Sequence, residues 1–222
     1  MNYQIISLSP LFSGISTENI ELLFKQIHYR VMNYSKNDFI VQQGSVLEEL
    51  RLILSGSVRS EISNEQHTTK VADLHAPKVL APSFLFGKDN KYPVDVIANA
   101  SVKILCIPKV EFLKLMQLNS QLMSNYLDIV SSRAQFLAKR IQLLSLRTIK
   151  EKVAKYLLDL AGDNLQSFEL PMTQTMLAEY FAVARPPLSK IFTDLSKEGI
   201  IKINTRTIYL LDKNALRNIL RK

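Results

Sequence analysis

From Met123 to Leu144 the apolar residues Met123, Leu127, Val130, Ala134, Leu137, Ile141 and Leu144 step alternately by four and three. A strict heptad column of this kind is the signature of helices that wind around each other. A second column, Leu122, Ile129, Phe136 and Leu143, repeats every seven residues beside it. One helix alone in water cannot cover both columns. Two arrangements fit. In the one adopted here, the first column is the interface with a second copy of the chain, and the second packs on the chain's own preceding segment. In the other, the two columns form one broad face buried inside a monomer.

The preceding segment has a different period. Between Tyr29 and Pro108, strand formers such as Val31, Phe39–Val41, Leu52–Leu54, Val58, Ile62, Val71, Val94, Val96, Ile97 and Val102–Leu105 come in short runs. Gly44 and Gly56 fall between runs and suit tight turns. Many short strands with turn signals point to a β-barrel or roll, not a parallel sheet. A helix precedes it, with Ser16 as N-cap, Glu18 in the first turn and Ile20, Leu23, Phe24 and Ile27 on one face. Beyond Pro108 the period turns helical and stays so. A shorter amphipathic helix then runs from Thr148 to Leu160, and Gly162 suits its C-terminal cap. The reading is an α+β chain in three parts: a roll with flanking helices over 1–115, a dimerisation helix over 116–147, and a C-terminal module over 148–222.

Charge separates the halves. Residues 1–115 hold 12 Lys+Arg against 11 Asp+Glu, for +1; residues 116–222 hold 16 against 9, for +7. A basic half joined to a neutral half fits a polyanion-binding module attached to something else, and fits a solvated basic surface equally well. At 47% hydrophobic and 22% charged the composition is globular. The single cysteine, Cys106, excludes an internal disulfide, a four-cysteine iron–sulfur cluster and a cysteine-rich zinc module, and it belongs inside a strand. The start, MNYQIISLSP, has no signal-peptide character and no apolar run approaches 18 residues, so the expectation is a soluble cytoplasmic protein with no membrane partner.

The chemistry sits in Thr173–Lys197, TQTMLAEYFAVARPPLSKIFTDLSK. With Gln174 as the first position of a helix-turn-helix, Ala178 is the small residue where the helices touch and Ala182 takes the turn. Leu177, Phe181, Val183, Leu188 and Ile191 fill the packing positions. Only the turn departs from the usual pattern, where glycine is commoner. Pro186 and Pro187 fall in the first turn of the second helix, where a missing N–H removes no helical bond. That helix puts Arg185, Ser189 and Lys190 on one outward edge, residue types suited to base edges and phosphates. Thr173, Gln174 and Thr175 open the first helix on the same side. After Gly199, Lys202–Leu210 reads as a β-hairpin wing with Arg206 at its polar tip, placed for a phosphate.

A β-roll, a long helix and a winged helix-turn-helix in this order resemble the Crp/Fnr family of bacterial transcription regulators over essentially the whole chain. FIVQQGSVLEELRLILSGSV resembles the family's first hairpins, with Gly44 and Gly56 in the expected turns. The resemblance implies a homodimer on a palindromic double-stranded operator, with RNA polymerase as a further partner. The departures carry information too. Members that bind cyclic AMP have a Gly-Glu pair and an arginine for the buried cyclic phosphate. Here no arginine lies between Arg59 and Arg133, Gly87 is followed by Lys88, and Tyr92 stands near the arginine's place. The positions of the two purine-facing hydroxyls become Leu137 and Ala138. The expected effector is therefore not a cyclic nucleotide.

LAPSFLFG, PVDV and ARPPLSK are similar to a subgroup linked to nitrosative stress and the control of hybrid-cluster protein genes, some of whose members sense nitric oxide through haem. For this chain that implies an axial ligand from His28, His67, His75 or a methionine. The effector pocket is placed around Phe84, Leu85, Phe86, Tyr92 and Pro93, closed by the long helix near Tyr126 and Arg133. Family members commonly carry Arg-Glu at the start of the recognition helix; Pro186 replaces that Glu here, so the operator is expected to differ from the family consensus. An enzyme is disfavoured by three histidines, few glycines and no metal-ligand spacing. The reading is an effector-responsive DNA-binding regulator; the alternative is an effector-binding scaffold with a non-reading helix-turn-helix.

Overall fold

The computed structural model describes residues 2–63 and 68–221. His67, one of the haem-ligand candidates, lies outside the described residues. The chain forms two compact units, Met1–Arg133 and Ala134–Lys222, whose boundary falls inside the long helix, not at either end of it.

The first unit opens with α1 (Tyr3–Ser7), a 3-10 turn at Pro10–Phe12 and α2 (Thr17–Phe24). Ser16 caps α2 as its sequence predicts, its side chain accepting from the Asn19 N–H. Eight strands follow: β1 (Arg30–Tyr34), β2 (Phe39–Val41), β3 (Glu49–Ser55), β4 (Ser57–Ser63), β5 (Thr68–His75), β6 (Val79–Leu80), β7 (Asp95–Ala98) and β8 (Val102–Pro108). They pair antiparallel into two four-stranded sheets, β1-β8-β3-β6 and β2-β7-β4-β5. This is the expected roll. Gly56, in the β3–β4 turn, has φ +82°, and a Cβ there would meet the Ser101 carbonyl oxygen at 2.5 Å, so only glycine fits. Cys106 is buried within β8 and burial pushes its thiol up to about 11.

Helix α3 (Lys109–Leu118) and α4 (Ser120–Leu144) carry the helical period, with one difference from the sequence reading. Asn119 is extended (φ −143°, ψ 108°) and interrupts the helix. Its Oδ1 accepts from the Leu122 N–H at 2.9 Å, the bond of a capping residue. The roll's following helix thus ends at Leu118, three residues beyond the expected boundary.

On α4 the two apolar columns part. Leu122 and Leu143 are buried, Ile129 packs on the first unit's core, and Phe136 lies against Tyr180, centroids 5.8 Å apart. The heptad column faces outward. Met123, Leu127, Leu137, Ile141 and Leu144 are 43, 56, 45, 68 and 38% exposed, Ala134 is exposed, and Val130 is half-buried.

The second unit contains α5 (Ile149–Ala161), β9 (Ser167–Glu169), α6 (Gln174–Phe181), α7 (Arg185–Lys197), β10 (Ile201–Asn204), β11 (Thr207–Leu210) and α8 (Lys213–Ile219). Thr148 and Glu151 form a reciprocal capping box at the start of α5, and Gly162 (φ +53°) closes its end. Val153, Leu157, Leu177, Phe181, Leu188, Phe192 and Leu216 are buried in one core. Two elements had no sequence expectation: β9, which makes the wing three-stranded in the order β10-β11-β9, and α8, which packs on α5. Among the described residues no helix is long and apolar enough to cross a membrane.

Candidate nucleic-acid interface

The α6–α7 pair is built as its sequence specifies. Thr173 is the N-cap of α6, its hydroxyl accepting from the Met176 N–H at 3.2 Å. Ala178 is buried at the helix contact, and Ala182 takes the turn in the left-handed region (φ 54°, ψ 48°). The Val183 N–H then closes onto the Ala178 carbonyl at 3.0 Å. Lys152 of α5 donates to the Phe181 carbonyl at 3.2 Å, adding a cation where the α6 dipole is negative. Helix α7 starts at Arg185, with Pro186 and Pro187 in its first turn.

Of the sequence-chosen DNA residues, Thr173, Thr175, Arg185, Lys190 and Arg206 are exposed, while Gln174 and Ser189 are half-buried. Ser189 Oγ donates to Gln174 Oε1 at 2.7 Å, a pairing between the two helices that spacing alone does not reveal. A cleft of about 240 Å³ runs between the wing and the starts of α6 and α7. Thr173, Gln174, Arg185 and Arg206 line it, with Thr205 beside them and Phe192, Ile203 and Ile208 at its apolar side. Arg206 is at the wing tip as expected. One of its guanidinium nitrogens donates to the Leu170 carbonyl at 3.2 Å while the Leu170 N–H donates to the Arg206 carbonyl at 2.9 Å, so the residue just after β9 steadies the tip. Among the described residues no carboxylate pairs with Arg185, which lines the cleft, or with Lys190, which is exposed on the same helix, so both cations are open to a polyanion.

The residues expected around the effector pocket fall in more than one setting. Phe86 stacks on Phe112 (6.3 Å, 26°) and meets Tyr126 edge-on (5.6 Å, 84°); Tyr126 also meets Phe112 edge-on at 5.2 Å. Phe86 is 36% exposed at the edge of this cluster, while Phe112 and Tyr126 are buried. Tyr126 donates to the Pro82 carbonyl at 2.7 Å, and burial pushes its hydroxyl up to about 12. Leu85 is buried in the core, Phe84 and Pro93 are exposed, and Arg133 is exposed on α4. Tyr92 has a separate setting. It is buried beneath the Arg51 guanidinium, 5.8 Å from its ring, and burial lifts its hydroxyl to about 12. The Phe86, Phe112 and Tyr126 cluster is held by ring packing, since aromatic side chains are drawn together by apolar area and favour edge-on and offset contacts. Of the haem-ligand candidates, His28 has a side chain 95% exposed and 3.1 Å from Glu111, and His75 is exposed at the end of β5. Among the described residues no group of three or more His, Cys, Asp or Glu could hold a metal ion.

A roll followed by a basic helix-turn-helix with a wing defines the class: a two-domain DNA-binding transcription regulator. Residues 31–119 match the cyclic nucleotide-binding domain family and residues 151–219 the Crp-like helix-turn-helix domain family. The transcriptional activator protein anr of Pseudomonas aeruginosa is 25% identical over 215 residues, covering 93% of this chain and 87% of anr. The cyclic AMP receptor protein of Thermus thermophilus is 23% identical over 222 residues, covering 95% and 96%. Among solved structures, the Thermus thermophilus catabolite activator protein superposes with a TM-score of 0.54 at 22% identity, covering 96% of this chain and 98% of that one. A CooA mutant from Carboxydothermus hydrogenoformans gives 0.57 at 20% identity, covering 90% of each. The chain belongs to the Crp/Fnr family of transcription regulators. Its relatives regulate transcription and are not enzymes.

Proposed function

We propose that the chain acts as a homodimer on a palindromic operator, with an effector other than a cyclic nucleotide acting on its roll. The outward heptad column on α4 carries the dimer. Its five large side chains are roughly half exposed, so burying each contributes about half of the 1.5–3 kcal/mol of a full transfer. Ten such side chains over two copies together match an association cost of about 4–15 kcal/mol. A pair of α7 helices related by a two-fold axis would read half-sites one helical turn apart. An effector that alters α4 would change their separation or tilt.

Three observations support an effector outside the cyclic nucleotides. The stretch between Arg59 and Arg133 has no arginine, and its Lys88 and Lys91 are exposed. Arg51 is committed to Glu49 at 2.9 Å and to the Ile40 carbonyl. Arg59 is committed to Glu61 at 2.7 Å. The likeness of LAPSFLFG, PVDV and ARPPLSK to the nitrosative-stress subgroup supports an effector of that chemistry. RNA polymerase is an additional partner on the same reading.

The test is sedimentation velocity at micromolar concentration, paired with binding to a selected palindromic duplex. The wild type is expected to sediment as a dimer. Leu137→Asp, which puts a charge into the column, is expected to give a folded monomer with at least about tenfold weaker duplex binding. A wild-type chain that stays monomeric with and without duplex overturns the proposal.

A further inference from the structure

The contact between Ser189 and Gln174 decides which way a reading residue can hydrogen-bond. A serine hydroxyl has one proton and two lone pairs and normally turns to suit a donor or an acceptor. Here Ser189 Oγ gives its proton to Gln174 Oε1 at 2.7 Å. What the hydroxyl can still offer is lone pairs. Thr193 Oγ1 also bonds at this residue, but to the Ser189 backbone carbonyl, and leaves the side chain alone. In the major groove an acceptor pairs with the amino groups of adenine N6 or cytosine N4. Guanine N7 and O6 and thymine O4 are acceptors themselves and would meet it lone pair to lone pair.

We propose that Gln174 is a specificity-positioning residue that holds Ser189 as a hydrogen-bond acceptor, so that each half-site carries adenine or cytosine opposite Ser189. This deepens the operator-reading function above and rests on it. Gln174 lies at the N-terminus of α6 and lines the same cleft as Arg185 and Arg206. Among the described residues no group accepts from its Nε2, and the first helix of such a motif crosses the sugar-phosphate backbone. Its two N–H donors are therefore placed for a phosphate oxygen while its carbonyl fixes the serine. Lys190, the next residue on α7, can only donate. The edge thus presents an acceptor and a donor side by side, and reads a different base at each.

The experiment is operator selection from randomised duplexes using the full-length wild type, Gln174→Ala, Gln174→Glu and Ser189→Ala, with a melting temperature for each. The wild type is expected to enrich adenine or cytosine about tenfold over guanine and thymine at one position per half-site, the position whose preference Ser189→Ala abolishes. Gln174→Ala frees the hydroxyl proton, and the same position is expected to fall to within about twofold of no preference. Gln174→Glu still accepts that proton, so it is expected to keep the base preference while its charge near the phosphates weakens overall binding. A wild type that enriches guanine or thymine there overturns the assignment of the proton. A Gln174→Ala profile that matches the wild type while the melting temperature falls overturns the specificity role and leaves a structural clasp. A wild type that enriches no sequence at all overturns operator reading itself, a distinct result.

Discussion

Ala182 holds a left-handed conformation that disfavours a Cβ, and it is exposed, so its methyl group gains no packing in return. Ala182→Gly is expected to stabilise the second unit by about 0.5–1 kcal/mol, the left-handed penalty outweighing the extra freedom of glycine in the unfolded chain. A higher melting temperature by calorimetry checks this; an unchanged or lower value would show that the turn is not strained. The position was legible in advance, because the motif's spacing marks it as the one slot where glycine is commoner. The neighbouring roles were less so. Thr173 is expected among the DNA-binding residues, and its hydroxyl serves as the N-cap of α6. Arg206 stands at the wing tip that the sequence places for a phosphate, and a carbonyl 36 residues earlier in the chain orients it. Such contacts depend on which strands become neighbours, and no spacing rule encodes that.

Helix α5 is set by its first turn. The Thr148 side chain accepts from the Glu151 N–H at 3.1 Å, and the Glu151 carboxylate accepts from the Thr148 N–H at 3.2 Å. Thr148→Ala is expected to lower stability by about 1 kcal/mol, measured by denaturant unfolding, because a backbone donor loses its partner. Periodicity made α2, α4, α5, α6 and α7 readable, and alternation made the roll readable. The break at Asn119 was missed although asparagine followed three residues later by an apolar face is a start signal. An uninterrupted run of helical spacing on both sides masked it. Strand β9 spans only three residues, Ser167–Glu169, too few to establish an alternation, and it exists because β11 is there to pair with it.

For the molecule as a whole, the +7 of residues 116–222 predicts binding that weakens steeply with salt. Lys190→Ala is expected to lower duplex affinity and to reduce the slope of log affinity against log salt by about one if the lysine meets a phosphate, or to relax one base position if it meets a base. Filter binding across a salt series separates these outcomes. A scaffold with a non-reading helix-turn-helix would show neither. On the proposed dimer the outward column of α4 serves assembly and the basic edge of α7 serves contact, so Leu137→Asp and Lys190→Ala are expected to act at different steps.

Two things were contained in the order of residues alone: the succession of roll, long helix and winged helix-turn-helix, and the identity of the basic edge. The succession follows from strand alternation, helical and heptad periods, and the edge from the fixed spacing of a helix-turn-helix; all of these are local and survive without knowing any neighbour. Folding in three dimensions settled the rest. Phe86, Phe112 and Tyr126 gather into one aromatic cluster, and Ser189 gives its proton to Gln174 fifteen residues away. Packing and hydrogen-bond direction are properties of surfaces brought together, and a linear pattern does not say which surfaces those will be.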